Sequence, residues 1–449
     1  MDTHTRIEQD LLGDVAVPVD ALYGAQTARA RANFPTLGAR TLGDYPPLVR
    51  ALLRVKRAAA SANRAAGFLD PRVAAAILGA SDEVLTRHRA EEFPIHALHG
   101  GGGTSANMNA NEVLANLAEE RLGGRRGEYR LVHPVAHVNL HQSTNDVYPT
   151  ACHLAVLDGW TAVDAALGHL AATLRGQAGR WSAEPRLART CLQDAVETSF
   201  GDLLGAYAAF VERGRSRAAG TVDRLREVNL GGTIVGRQVD VPEPYASRVV
   251  EALRGETEDA RLVRAENLFD AAQHVDDMVS VSAALALLSR GLIKIAKDLR
   301  LLASGPEAGL GELEIPAVQP GSSIMPGKVN PVIPEFVIQV CCRVVGHDAA
   351  CAMAVDHGEL DLNVWESLVV VSLLDSIALL GPALTAFADA CVVGIRPRRR
   401  RNEAHVNTIV PLLTRLAHQR GYGAITDICR RAGRDPDDIR RLLTEEHLL

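Results

Sequence analysis

The segment Gly321–Pro331 carries the side chains best suited to chemistry, with Ser322, Ser323, Lys328 and Asn330 inside eleven residues. Its glycines allow the backbone to approach a ligand closely, and its prolines stiffen the turns between them. Hydroxyl, ammonium and amide groups can together hold one anion. A Gly/Pro-rich surface turn is the alternative, but the composition of the whole segment favours a mobile anion-binding loop.

Lysine is rare in this chain. Four of the 48 Lys and Arg residues are lysines, which leaves 44 arginines. The lysine kept at Lys328 therefore indicates that the loop needs a compact ammonium rather than a planar guanidinium.

Three further clusters are rich in uncharged hydroxyl and amide groups: Gly103–Asn109, His141–Asp146 and Arg189–Asp194. Such groups bind carboxylate oxygens without changing their own protonation state. Helix capping is the alternative for single members of these clusters, namely Thr104, Ser143, Thr144 and Asn145. Several clusters of one kind favour a small dicarboxylate as the ligand.

Helices are expected to position these clusters. The chain has 449 residues, 47% of them hydrophobic and only 4% aromatic, which favours a mostly α architecture. Apolar periodicity and scarce proline predict long helices over Thr150–Trp181, Val196–Asn229, Ala265–Ser304 and Pro334–Val355. Leu368–Phe387 is nearly apolar enough to span a bilayer, but its Asp375 and its Gly381-Pro382 break predict a helix buried in a protein bundle instead.

Three domains are predicted: a mixed helical region over 1–140, a central helix bundle over 141–395, and a small helical domain over 396–449. Helices of thirty or more residues with apolar residues on several faces need more partners than one layer supplies. We therefore expect copies of the chain to pack together as a homo-oligomer.

Composition also excludes several classes of protein. The net charge of −6 gives no general attraction to nucleic acid, and the basic run Arg396–Arg401 is interpreted as a solvated linker. The seven cysteines are scattered without CxxC spacing, so neither a disulfide framework nor a zinc or other metal site is predicted. The polar, acidic N-terminus lacks the apolar core of a secretion signal. A cytoplasmic protein without membrane or nucleic-acid partners is expected.

The chain resembles the aspartase/fumarase superfamily over nearly its full length, and is most similar to the aspartate ammonia-lyase branch. The resemblance rests on these stretches: Arg6–Gly13, Gly100–Asn116, His137–Asn139, Gln142–Asp146, Leu192–Ala195, Glu227–Gly231 and Ser322–Pro331. It implies a three-domain subunit whose central bundle forms a twenty-helix core in a homotetramer. Each active site would be shared among three chains, and no metal or organic cofactor would be required.

Carried over residue by residue, the resemblance makes Ser322 the general base that removes a proton beside a carboxylate. The resulting aci-carboxylate would be a carbanion-like intermediate. Serine is a poor base at its ordinary pKa, so the loop would have to stabilise the alkoxide through backbone N–H groups and Lys328. The remaining substrate contacts implied by the resemblance are Thr104, Ser143, Thr144, Asn145, Thr190, Ser323, Lys328 and Asn330.

Two groups of residues depart from the family pattern. Cys191 stands where fumarases and some aspartases have a histidine, although the partner glutamate is retained as Glu335. Arg237 and Gln238 replace residues that are usually small. These four are candidate specificity residues, and drift at positions that shape loops is the alternative.

The leading hypothesis is a carbon–nitrogen lyase that eliminates ammonia, or a substituted amine, from L-aspartate or an N-substituted aspartate to form fumarate. Gly-Thr-Ser at 103–105 and Ser-Thr-Asn-Asp at 143–146 favour this reading. Fumarate hydratase is the second hypothesis, weakened by Cys191, which lacks the acid–base capacity of histidine. A catalytically silent structural relative is the third.

Overall fold

A computed structural model describes residues 4–237, 240–433 and 435–449, so Gln238 lies outside the described part of the chain. The mostly α fold is confirmed. The helices of the described residues are α1 (Ala25–Asn33), α2 (Pro46–Ala65), α3 (Pro71–Arg87), α4 (Thr104–Arg121), α5 (Thr144–Arg180), α6 (Phe200–Arg224), α7 (Glu243–Thr257), α8 (Leu268–Gln273), α9 (Asp276–Leu302), α10 (Val332–Asp356), α11 (Glu366–Ala390), α12 (Arg399–Val406), α13 (Ile409–Arg420), α14 (Tyr422–Ala432) and α15 (Pro436–Glu445).

The strands form small two-stranded sheets. Three of the pairs are antiparallel: β1 (Thr5–Asp10) with β2 (Gly13–Pro18), β3 (Pro185–Thr190) with β4 (Gln193–Ser199), and β7 (Leu313–Glu314) with β8 (Arg396–Pro397). The parallel pair is β5 (Glu227–Val228) with β6 (Val263–Arg264). Each pair contributes buried side chains to the core, among them Val17, Leu187, Val228 and Leu313.

The chain forms two compact units. One contains Met1–Asp164, Ser216–Leu287 and Arg343–Leu379, and the other contains Ala165–Arg215, Leu288–Cys342 and Leu380–Leu449. The division into three domains at residues 140 and 395 stays a prediction.

The predicted long helices agree with the structure in three places and fail in two. Thr150–Trp181 lies almost wholly within α5, and Pro334–Val355 and Leu368–Phe387 lie within α10 and α11. The helix predicted over Val196–Asn229 was wrong at its start. Residues 196–199 belong to β4, where β-branched residues occupy alternate positions. Ala265–Ser304 was wrong as one helix, because α8 ends at Gln273 and α9 begins at Asp276.

In the first unit, α2 and α4 carry many buried residues. Proline at the first position of α2 starts the helix without losing a needed donor. Helix α4 follows Gly101, Gly102 and Gly103, all with positive φ. A Cβ at Gly103 would overlap the ring of Tyr148, so only glycine allows this close approach.

In the second unit, the β3–β4 hairpin turns through Cys191 and Leu192, whose φ values are 55° and 60°. Two consecutive left-handed residues describe a tight hairpin turn that usually contains glycine or asparagine. Helices α13–α15 pack around their own cluster of buried apolar residues: Leu416, Ile425, Ile428, Ile439 and Leu443.

Three helical segments are long and apolar enough to cross a membrane by length and composition: Asp276–Leu302, Val332–Asp356 and Glu366–Gly394. The share of each apolar window buried within the chain is 56%, 28% and 56%. A large apolar surface of α10 therefore stays exposed in the single chain.

Candidate active site

The Gly321–Pro331 loop lies between β7 and α10 and is closed at its base by hydrogen bonds. The N–H of Gly321 donates to the carbonyl of Lys328 at 2.8 Å, and Nδ2 of Asn330 donates to the carbonyl of Gly321 at 2.9 Å. A Cβ at Gly321 would lie 2.6 Å from that Lys328 oxygen, which explains the glycine at this position. The amide of Asn330 therefore supports the loop.

The hydroxyl of Ser322 lies within this loop and is half-buried. Its Oγ accepts hydrogen bonds from the backbone N–H groups of Ile324 at 3.2 Å and Met325 at 3.0 Å. Donors aimed at one oxygen favour its anionic form. The loop thus provides the kind of stabilisation that a serine alkoxide needs.

A cavity of about 490 Å³ opens beside Ser322 and is lined by Gln319, Met325 and Lys328, among others. The Lys328 side chain is exposed, and no ion pair involving its ammonium occurs among the described residues. Ser323 is exposed next to it. A charged donor and two hydroxyls therefore lie on one short segment beside open volume.

Thr190 and Cys191 are exposed at the tip of the β3–β4 hairpin. The residue before them, Arg189, places its guanidinium 2.5 Å from Oε1 of Glu312, whose side chain is fully buried. Nδ1 of His405 on α12 lies 2.7 Å from the same oxygen. This buried group attaches the hairpin to α12.

Glu335 lies in the first turn of α10, and its Oε1 accepts from the guanidinium of Arg300 at 3.1 Å. Within the unit that contains Cys191 and Glu335, the carboxylate is thus neutralised by an arginine. Its role as a partner of Cys191 stays a prediction.

The first unit holds Thr104 and the Ser143–Asn145 segment. Thr104 is the exposed first residue of α4. Asn107, also on α4, donates from Nδ2 to Oγ1 of Thr144 at the start of α5, at 3.0 Å. The N–H of Asn145 donates to Oγ of Ser143 at 3.2 Å, which is the capping contact expected at the start of a helix. Capping thus accounts for part of this cluster.

Asp146 is fully buried directly behind these residues. Its carboxylate accepts from the backbone N–H groups of Ser143 at 2.9 Å, Gly231 at 3.0 Å and Thr233 at 3.1 Å. Burial raises the pKa of Asp146 to about 6, against these hydrogen bonds. The carboxylate joins the start of α5 to the loop that follows β5.

That loop also contacts Asn145. Its Nδ2 donates to the carbonyl of Ile234 at 2.8 Å, and Nδ2 of Asn229 donates to the Asn145 carbonyl at 2.8 Å. Arg237 is exposed, with its guanidinium 3.8 Å from Asp240. The candidate specificity residue Gln238 lies outside the described residues.

Lys56 on α2 was missed as a functional residue. It is fully buried, and its Nζ donates to Oδ1 of Asn139 at 2.8 Å and to Oε1 of Gln142 at 2.9 Å. Burial lowers its pKa to about 7, opposed by the charge of Asp146. The sequence did contain a signal for a buried lysine. Lys56 lies four residues after Leu52 and three before Ala59, which places it on the apolar, buried side of α2.

The predicted residues thus fall into two groups. Thr104, Ser143, Thr144 and Asn145 lie in one unit, while Thr190, Cys191, Glu335 and the Ser322 loop lie in the other. Their roles stay predictions. Among residues 4–237, 240–433 and 435–449, no group of three or more His, Cys, Asp or Glu side chains is arranged to hold a metal ion.

Comparison with known proteins gives consistent results. A family model described as "Lyase" matches residues 13–346. The chain is 40% identical to an aspartate ammonia-lyase of Bacillus sp, over 100% of this chain and 96% of that one. It is 39% identical to a class II fumarate hydratase of Thermosynechococcus vestitus, over 99% and 95% of the two chains.

Among solved structures, a fumarate lyase:delta crystallin from Brucella melitensis superimposes with a TM-score of 0.92 at 42% identity. The superposition covers 98% of each chain. Sequence and structure therefore agree on the same group of enzymes, while ammonia-lyases and hydratases match about equally well.

Proposed function

The chain belongs to this lyase family, within the aspartase/fumarase superfamily, and on that basis we propose that it is a carbon–nitrogen lyase. The proposed reaction eliminates ammonia, or a substituted amine, from L-aspartate or an N-substituted aspartate and forms fumarate. The observation that carries the proposal is the pair of backbone N–H donors on Oγ of Ser322.

In the first step, the Ser322 alkoxide takes the proton from the carbon next to one carboxylate. The electron pair of that C–H bond moves into the carboxylate and forms an aci-carboxylate with an added negative charge. Donors already in place for this charge lower the barrier, because they need no reorganisation during the reaction. Lys328, on the same loop, is the proposed holder of this carboxylate.

In the second step, the electron pair returns to form the carbon–carbon double bond. The carbon–nitrogen bond breaks, and its pair leaves on the nitrogen. Thr104, Ser143, Thr144 and Asn145 are the proposed contacts of the second carboxylate and the amine, with Thr190 and Ser323 as further contacts. Asn330 acts in this proposal through the shape of the loop.

Ammonia release is favoured over hydration by the residues at the hairpin tip. Adding or removing water requires a positioned acid or base, and Cys191 offers only a thiol. Oε1 of Glu335 accepts from Arg300, and this ion pair favours the charged carboxylate over a proton donor. Fumarate hydration is the second candidate function, because class II hydratases match the chain as well as ammonia-lyases do.

We propose a homotetramer whose active sites combine residues of three chains, located in the cytoplasm. The exposed apolar surface of α10 supports this assembly. Only 28% of the most apolar window of this helix is buried within the chain. Burying such a surface against other copies releases water from apolar side chains, which is favourable.

The direct test is fumarate formation, followed by its ultraviolet absorbance, from L-aspartate and from L-malate in parallel. Fumarate and ammonia from aspartate support the proposal, while activity on malate alone supports the hydratase. If a folded enzyme is inactive on both, N-substituted aspartates are the next substrates to test.

A further inference from the structure

We propose that Lys56 is a positioning residue that sets the direction of a hydrogen-bond chain ending at Thr144, so that the Thr144 hydroxyl donates to a substrate carboxylate. The inference rests on the proposed function, in which Thr144 contacts a dicarboxylate. It concerns a residue that is not itself in contact with substrate.

The chain begins at the ammonium. Nζ of Lys56 lies 2.8 Å from Oδ1 of Asn139 and 2.9 Å from Oε1 of Gln142. An ammonium has three donors and no acceptor, so both contacted atoms must be carbonyl oxygens. Lys56 thus favours the orientation in which both amide oxygens face it. The amide nitrogens of Asn139 and Gln142 donate to the backbone carbonyls of Gln142 and Val138, which favours the same orientation.

The orientation of Asn139 then decides that of Asn107. Oδ1 of Asn139 also accepts from Nδ2 of Asn107 at 3.1 Å, so Asn107 must turn its NH₂ group towards it. The same Nδ2 lies 3.0 Å from Oγ1 of Thr144. Nδ2 can only donate, so the Thr144 oxygen is an acceptor in this contact.

A hydroxyl has a single hydrogen. Because the Thr144 oxygen accepts from Asn107, its own hydrogen is not used in that contact and can point to an incoming carboxylate. Thr144 is half-buried at the start of α5, so a ligand can reach it. If Asn107 were flipped, its carbonyl would take the Thr144 hydrogen, and the hydroxyl would face the carboxylate with lone pairs.

Packing alone does not explain this lysine. Removing an ammonium from water is costly, and an apolar side chain would fill the same position of α2 without that cost. The opposite charge near Lys56 is that of Asp146, which is itself fully buried and bound to three backbone N–H groups. The desolvation cost of the ammonium is explained if Lys56 orients the neighbouring amides, and is not explained by packing alone.

The test is a double-mutant cycle on the full-length protein, read by calorimetric binding of succinate, an unreactive dicarboxylate. Lys56→Met removes the donors while keeping the side-chain length, and Thr144→Val removes the hydroxyl while keeping the shape. Each single variant should weaken succinate binding by about tenfold or more, the scale of a hydrogen bond to a charged group. The double variant should bind about as weakly as Thr144→Val alone.

Lys297→Met is the matched control, since Lys297 is an exposed lysine of α9, and its succinate binding should stay unchanged. Lys56→Gln can still donate from its amide and should recover part of the binding lost in Lys56→Met. If circular dichroism shows that the methionine variant does not fold, Lys56→Leu, which also lacks a donor, replaces it in the cycle.

A loss of succinate affinity in the double variant equal to the product of the two single losses would overturn the proposal. Unchanged binding in the Lys56 variants would overturn it as well. Absence of succinate binding by the unmodified protein would also overturn it. The proposed function has a separate readout, because turnover of L-aspartate can fail while the cycle still shows coupling between Lys56 and Thr144.

Discussion

The Oγ of Ser322 accepts a hydrogen bond from the backbone N–H of Met325 at 3.0 Å. The hydroxyl oxygen is therefore bound by its own loop, and a second N–H, from Ile324, donates to the same oxygen. The donors come from the backbone, so no side chain has to move to stabilise an alkoxide there. This relationship connects the loop composition to a chemical role.

Replacing Lys328 tests whether the loop binds an anion. Lys328→Met should lower kcat/KM by roughly ten- to a hundredfold, because it removes a charged donor from a carboxylate. Steady-state kinetics with L-aspartate measures this, and Lys297→Met controls for loss of a lysine elsewhere. Equal kinetics in the two variants would contradict the role of Lys328.

The buried carboxylate behind the hairpin is predicted to matter for stability. Glu312→Gln should lower the free energy of unfolding by about 3 kcal/mol, because it leaves Arg189 without its buried partner. Glu314→Gln is the control, since Glu314 pairs with Arg398 at the surface and should cost under about 1 kcal/mol. Urea denaturation of both variants measures the difference, and similar losses would contradict the prediction.

The buried lysine predicts a pH-dependent stability. Lys56 has a pKa of about 7 in the folded chain, against an ordinary value of 10.5. Between these values the unfolded chain binds more protons, so the free energy of unfolding should rise with pH, by up to about 1.4 kcal/mol per pH unit. Below about pH 7 both states carry the charge, so the dependence on pH vanishes while the cost of the buried ammonium is fully present.

Chemical denaturation at about pH 7.5, 8.5 and 9.5, all between the folded and unfolded pKa values of Lys56, compares the unmodified protein with Lys56→Met. The variant should lose the upward slope that Lys56 contributes, so the stability difference should shift in favour of the unmodified protein as pH rises. Lys297→Met should run parallel to the unmodified protein. Parallel slopes for Lys56→Met would show that the buried lysine does not titrate in this interval.

Local composition predicted the elements that have strong local signals. The apolar runs of α10 and α11 are long and free of strand-like alternation, so their positions were predicted closely. The Ser322 loop was predicted from its glycines, prolines and polar groups. The end of β4 was missed because Val196–Ser199 has too few residues to separate a strand from the first turn of a helix.

The interactions behind the site could not be predicted in the same way. Lys56 and Asn139 are 83 residues apart, and Asn107 and Thr144 are 37 apart. Their contacts depend on how α2, α4 and the segment before α5 pack, which no local pattern encodes. Polar residues in loops and at helix ends could be chosen as candidates from type and spacing, whereas the contacts of the buried residues behind them could not.

The most direct test of the account is fumarate formation from L-aspartate by Ser322→Ala beside the unmodified protein. Ser323→Ala is the matched control, with a neighbouring hydroxyl removed from the same loop. The account predicts a loss of about a thousandfold in kcat for Ser322→Ala, the scale of a general base, with folding and assembly unchanged. Ser323→Ala should mainly raise KM. Turnover retained by Ser322→Ala would contradict the assignment of Ser322 as the base.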